Sequence, residues 1–262
     1  MEKTNNQDQR QKKTISPFKE KAELEKEIKG FINKFKSTVK NQANRISDFF
    51  EMSCFNYVVR FYEHHDYQVK IMNLIDKEYR YKCSPAGIQK NYSYFSITKT
   101  INKREYSFEI QHNLAVQSSF DKEIFTNPDI VVIREGKSKT TTKYYETNRR
   151  FSYVENKHTI TFIEVKHFNP FPELIFNFMG IVNEIRKDIL TNSARAKRPI
   201  HLAPSLMVSG KPNKQTDRIR NSLEQRYCIN IIYDLFDSGT QTFSRFGVRR
   251  LKTTGKNQPL IE

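Results

Sequence analysis

Two short apolar runs in this chain each carry charged residues that a β-strand would set on one edge. The first, Asn127-Pro128-Asp129-Ile130-Val131-Val132-Ile133, puts an acidic residue at the mouth of a β-branched stretch. The second, Thr159 to Lys166, carries Glu164 and Lys166 two positions apart. Side chains alternate along a strand, so Glu164 and Lys166 point the same way while Val165 enters the opposite layer. If the strands pair, Asp129 joins them. Two carboxylates and a lysine on one sheet edge suit hydrolysis of a phosphodiester. That reaction needs charge neutralised on phosphorus, an in-line deprotonated water and a protonated leaving oxygen. Asp129, Glu164 and the Val165 carbonyl are hard oxygen ligands of the kind that hold Mg²⁺ or Mn²⁺. Lys166 would orient or help deprotonate the water and stabilise negative charge as it develops. The competing reading is a surface Glu164–Lys166 pair and an Asp129 turn residue. Polar side chains that interrupt two apolar strands at converging positions favour the catalytic one.

The remaining elements have to bring these strands together. Apolar spacing predicts an amphipathic helix from Lys19 to about Lys40, with Ser16-Pro17 as a start signal, and a second helix from about Asn41 to His65. The second carries Ile46, Phe50, Cys54, Tyr57, Val58 and Phe61 as its stripe. Glu51 falls at the border of that stripe, where it can be a solvated rim residue or overhang the active edge of the sheet. Tyr67 to Ile75 alternates as a strand should, and residues 77–90 read as a loop or irregular helix. Tyr92–Thr100 and Glu105–Gln111 form a hairpin with Asn102-Lys103-Arg104 at its tip. The sequence leaves Leu114 to Ser119 unassigned. After the Asp129 strand comes an insertion at about 136–158. After the Glu164 strand, Asn169-Pro170-Phe171-Pro172 breaks the chain ahead of a helix from Glu173 to about Leu190. A core strand from Ile200 to Val208, a helix capped at Thr216-Asp217 and running to Tyr227, and a strand from Ile229 to Phe236 complete the order. His64-His65-Asp66 reads as a helix end, and His112 and His167 as cleft-lining or structural residues.

Composition narrows the partners. The 262 residues are 37% hydrophobic, enough to bury a full core, and Lys+Arg 45 against Asp+Glu 29 gives a formal charge of +16. A polyanionic partner follows, with nucleic acid first. The insertion carries Lys137, Lys139, Lys143, Arg149 and Arg150 interleaved with Tyr144, Tyr145, Phe151 and Tyr153, and the tail carries Arg249 and Arg250. Cations with aromatics suit a phosphate backbone and exposed bases, although the aromatics can equally pack on the domain. The apolar runs are strand-sized, so no membrane span is expected, and the polar N-terminal stretch lacks the apolar core of a signal peptide. Three widely spaced cysteines, Cys54, Cys83 and Cys228, point to reduced thiols and a cytoplasmic setting.

Pro128-Asp129 followed by Glu164-Val165-Lys166, in this element order, resembles the PD-(D/E)xK nuclease superfamily. Phe50-Glu51, followed by the rest of its helix and Tyr67-Gln68-Val69, is similar to that superfamily's first motif. The resemblance covers residues 41 to 236, with an insertion between the second and third motifs. It implies a restriction-endonuclease-like three-layer α/β/α domain with a central mixed sheet over 41–262, preceded by a basic tail and helix over 1–40. It further implies a metal-dependent endonuclease acting on DNA in restriction or in defence against phage and mobile elements. Glu51 would hold a second ion or its water. Cutting both strands of a duplex commonly calls for two active sites and hence a homodimer. An RNA nuclease on the same site, or a non-catalytic nucleic-acid-binding protein of this fold, are the alternatives.

Overall fold

A computed structural model describes residues 21–39, 45–142, 150–191, 199–235 and 250–255. Its centre is a seven-stranded sheet whose spatial order follows the chain: β1 (Gln68–Met72), β2 (Tyr94–Ile101), β3 (Arg104–His112), β4 (Ile130–Arg134), β5 (Thr159–Lys166), β6 (Ser205–Val208) and β7 (Asn230–Ile232). β1 to β5 pair antiparallel, while β5, β6 and β7 pair parallel. The change of direction has a covalent cause. Parallel neighbours need a crossover, and helices α3 (Pro172–Leu190) and α4 (Lys214–Arg226) supply the two required. The expectation of a mixed α/β chain with a central mixed sheet is met.

Alternation along the strands sorts the core into two layers. Phe95, Ile97, Phe108, Ile110, Ile130, Val132, Ile163 and Val165 meet α1 (Lys21–Asn33) and α2 (Ile46–His64) on one face. Val131, Ile133, Phe162, Leu206, Val208 and Ile231 meet α3 and α4 on the other. α2 is apolar almost all round and is buried on nearly every side, from Phe49 to Tyr62. Among the described residues, no helix is long and apolar enough to cross a membrane.

β5 contains one irregularity that matters for the site. Thr159 pairs with Ile133 and Thr161 with Val132, so Ile160 is an extra residue, a β-bulge. The bulge lets Ile160 share the α1/α2 layer with Ile163 and Val165 while Phe162 turns to α3. A bulged residue drops out of the ladder, and the Arg186 guanidinium donates to its carbonyl. Arg186 leaves helical geometry to do so (φ −135, ψ 54), kinking α3.

Several boundaries differ from those the sequence predicts, each for a local reason. α1 stops at Asn33 because Lys36 adopts a positive φ of 56, yet Phe35 and Val39 still pack on the core. The run from Ile200 to Val208 splits into His201–Leu202 and β6, since Pro204 has no N–H for a ladder. The first piece pairs instead with Thr253–Thr254. α4 is capped by Asn213, whose Oδ1 accepts from the Thr216 amide at 2.8 Å, three residues before the expected cap. β7 is only three residues long, and Asp234 (φ 56) turns the chain beyond it. The hairpin tip is Asn102-Lys103, both with positive φ, as a tight two-residue turn requires. Ser16-Pro17, Arg249 and the tail from Gln241 to Arg249 lie outside the described residues, as does Phe236.

The insertion at 136–158 forms a hairpin, Ser138–Thr141 with Phe151–Val154. Its second strand runs parallel to Ala115–Gln117, which pairs with Phe125–Thr126, so a separate four-stranded sheet results. The arm leaves the end of β4 and returns to the start of β5, so these two strands pair as neighbours around it. It is attached at the ends opposite Asp129 and Glu164.

Phe162 is fully buried and lies 5.9 Å from the Phe178 ring, tying the sheet to α3. Replacing it with Ala is expected to cost about 3–5 kcal/mol in a urea unfolding titration. A loss below about 1 kcal/mol would mean that this side of the sheet is not packed as described.

Candidate active site

Asp129 lies one residue before β4, and Glu164 and Lys166 lie at the end of β5, so antiparallel pairing sets all three at one end of the strand pair. By alternation Glu164 and Lys166 share a face with Phe162, and Asp129 shares it with Val131. The Lys166 ammonium sits between the two acids. Its Nζ donates to Asp129 Oδ2 at 3.0 Å and to Glu164 Oε2 at 2.8 Å. The two carboxylate oxygens are therefore no farther apart than those two distances together. Asp129 Oδ2 also accepts from the Val165 amide at 2.6 Å, which holds the carboxylate against the strand.

Burial sets the electrostatics. The Glu164 side chain is 7% exposed and that of Asp129 16%, while that of Lys166 is 31% exposed, so the site opens on the lysine side. Desolvation, then the neighbouring Asp129 charge, raise the Glu164 carboxyl to about 7, even though Lys166 opposes the shift. Asp129 is also raised, by burial and by the charge of Glu51. Burial pulls the Lys166 ammonium down, but the two carboxylates more than offset it and its pKa ends above the usual lysine value. Once pH is high enough to ionise Glu164 as well, one cation between two buried acids leaves a net negative pocket.

Glu51 approaches from α2. Its Oε1 lies 2.8 Å from His112 Nε2, and Asn113 Nδ2 donates to the same oxygen. Asn113 is held with φ 50, a conformation that Asn tolerates better than most residues. Its amide donates to the Asp129 carbonyl at 2.8 Å and its Nδ2 to the Lys82 carbonyl at 2.8 Å. Asn113 thus joins Glu51 to the segment that carries Asp129. Behind it, Lys82 is 1% exposed and donates to Gln89 Oε1 at 3.0 Å and to the Asn113 carbonyl at 2.8 Å. Burial lowers its pKa to about 8. Gln89 continues to Gln111 Oε1 (2.8 Å) and to the His112 carbonyl (3.1 Å). Sequence reasoning missed Lys82 and Gln89, since their sequence neighbours give no sign that these two are buried. His167 is a structural residue here, its Nδ1 3.1 Å from Ser209 Oγ and its ring against Phe50.

The basic residues that the sequence singles out lie apart from Asp129, Glu164 and Lys166 along the chain. Lys137 and Lys139 are exposed on the arm, but Lys139 pairs with Glu155, as does Lys157 at 2.6 Å. Arg150 joins Lys90 and Thr140 to Thr142 around a shallow recess. Arg250 is exposed at the far end of the described chain. Lys143, Arg149 and Arg249 lie outside the described residues, with Tyr144 and Tyr145. Phe151 and Tyr153 pack on Phe125, each with ring centroids 5.2 Å from it, so these two aromatics serve the second sheet.

Among the described residues, no three His, Cys, Asp or Glu side chains gather into a cluster that would bind a metal by side chains alone. The oxygen donors brought together here are instead the Asp129 and Glu164 carboxylates, joined through Lys166. Two buried carboxylates whose pKa values are both raised are short of positive charge, and their hard oxygens fit Mg²⁺ or Mn²⁺. The comparisons with known proteins yield no match: no family model, no curated protein and no solved structure.

The raised Glu164 pKa carries a pH signature. A carboxyl that binds its proton more tightly folded than unfolded loses stability as pH rises from its ordinary 4.5 to about 7. Glu164→Gln lacks that loss. In EDTA, unfolding free energies should shift in favour of the variant by roughly 1–3 kcal/mol between about pH 4.5 and about pH 8. A pH-independent difference would remove the buried, repelled carboxyl from the description.

Proposed function

We propose that the chain is a metal-dependent endonuclease that hydrolyses phosphodiester bonds in DNA, built on a restriction-endonuclease-like fold. The observation that carries this reading is the Lys166 ammonium held between Asp129 and Glu164, two buried acids on neighbouring strand ends. Structural ion pairs seldom bury a second carboxylate in excess of cations, since each uncompensated charge costs several kcal/mol in desolvation. A site meant to receive a cation and a phosphate has reason to bear that cost. The net charge of +16 and the exposed arm lysine Lys137 support a polyanionic substrate.

Asp129, Glu164 and the Val165 carbonyl would hold Mg²⁺ or Mn²⁺, with Glu51 steadied by His112 and Asn113 to take a second ion or a water. The ion supplies Lewis-acid neutralisation at the phosphate and lowers the pKa of water. The chain's own groups do the rest. Lys166, whose pKa is raised, keeps its proton, so it orients the incoming water and opposes the charge that grows on the phosphate oxygens rather than acting as a base. Glu164, whose pKa is raised by burial and by the Asp129 charge while no ion is bound, would be held ionised by the ion and so serve as its ligand rather than as a base. The Val165 amide fixes the Asp129 carboxylate during these events.

The test is incubation of the purified protein with plasmid, single-stranded DNA and RNA, in Mg²⁺, Mn²⁺ or EDTA. Cleavage of DNA in Mg²⁺ or Mn²⁺, abolished by EDTA, is the expected result. Asp129→Ala and Lys166→Ala should each lower the rate by about 10²-fold or more, and Asp129→Ala should keep or tighten DNA binding because it removes negative charge. Cleavage of RNA alone would transfer the site to the ribonuclease reading. Absence of cutting on every substrate and metal, with binding indifferent to Lys166→Ala, would sink the enzyme.

A further inference from the structure

Immediately after Lys166 the chain places aromatic rings in the open. Phe168 is 40% exposed and Phe171 43% exposed, although most of the chain's phenylalanines that the structure describes are buried. The two rings face one another at 5.8 Å between centroids and 26° between planes, an offset stack. They belong to the segment Phe168-Asn169-Pro170-Phe171-Pro172, where two prolines limit the backbone.

This segment is clamped. Gly210, at the end of β6, donates its amide to the Phe168 carbonyl at 3.2 Å, and the Lys211 amide donates to Asn169 Oδ1 at 3.3 Å. The approach is so close that a Cβ at Gly210 would lie 2.6 Å from Asn169 Cα and 2.7 Å from the Phe168 carbonyl oxygen. Only glycine fits there. A pair of exposed rings on a rigid seat is preorganised for a flat partner, because little conformational entropy remains to be lost on binding.

Position specifies the partner. Phe168 follows Lys166 by two residues, which an extended chain spans in about 7 Å. The nearby Lys211 ammonium lies 3.8 Å from Asp234 Oδ2, so Lys166 is the cation that fixes where a phosphate would sit. A strand whose phosphate lies at Lys166 would bring its neighbouring base to these rings. Bases in a duplex already stack on one another, so only an unpaired base has a face to offer.

We propose that Phe168 and Phe171 are a stacking platform for an unpaired base, making single-stranded or locally opened DNA the preferred substrate. The proposal rests on the phosphodiesterase reading for the position of the phosphate. The stacking itself is independent of catalysis and can be measured without it.

The chain has no tryptophan, so Phe171→Trp introduces a single indole at the platform. In EDTA, titration with a 20-nucleotide oligo(dT) should quench its fluorescence to saturation, with a blunt duplex of the same length binding at least ~10-fold more weakly. In that background Phe168→Ala and Phe168→Leu should each weaken oligo(dT) binding by about 10-fold, while Phe168→Tyr retains it, since stacking needs a ring and not merely an apolar side chain. Equal quenching by duplex and single strand would overturn the proposal, as would no quenching. So would full affinity in Phe168→Leu together with self-association in sedimentation, which would make the rings a contact between copies of the chain. Saturable quenching by oligo(dT) with no cleavage in any metal would support the platform and reject the nuclease. Cleavage indifferent to both rings would do the reverse.

Discussion

One ammonium between two buried carboxylates is the interaction on which the arrangement turns. Asp129 and Glu164 cannot both be charged at close range in a dry sheet end without a cation between them, and Lys166 is that cation. Its two hydrogen bonds are charge-assisted, and the Val165 amide adds a third donor to the cluster. The rest of the fold supplies position. β4 and β5 must be neighbours, their ends must align, and the two acids must emerge on the same face. A triad that is electrostatically incomplete on its own is a poor device for stability, and more sensible as half of a binding reaction.

Facing is set by the bulge at Ile160. Because side chains alternate with a period of two, one extra residue reverses every side chain beyond it. Without it, an unbroken alternation would put Ile160 on the same face as Phe162 and Glu164. With it, Ile160 packs toward α2 and Glu164 and Lys166 remain beside Phe162 and Asp129. Arg186 satisfies the carbonyl that the bulge leaves over, at the expense of a kink in α3. On the opposite layer, Asn113 in its left-handed conformation ties Glu51 and Lys82 to the Asp129 backbone. The two faces of the sheet are coupled where the chemistry would take place.

Much of this was legible from local sequence, and what was not has a common cause. Asp129, Glu164 and Lys166 could be placed relative to one another because strand alternation is a local rule and both runs are strongly β-branched. The Asn102-Lys103 tip was legible because flanking alternation marks a hairpin. The bulge was not, since Thr159 to Lys166 reads as an uninterrupted strand and only the register against β4 exposes the additional residue. Lys82 and Gln89 bond to each other, but what ties them to the site is Asn113 and Gln111, 22 or more positions away. The arm shows the same limit. Its net positive charge can be counted from the sequence, but not which cations are paired: Glu155 engages both Lys139 and Lys157.

The way the arm is attached divides it into a part that can change and a part that cannot. It joins β4 and β5 at the ends remote from Asp129 and Glu164, and its strands belong to a different sheet. Its exposed positions from Lys137 to Thr140 carry no core contact, so recharging them leaves the strand pair in register. Val154, in contrast, is buried in one core with Phe162, and Ser152 Oγ accepts from the Gln89 amide, so the root of the arm is fixed by the same packing that holds the carboxylates in place.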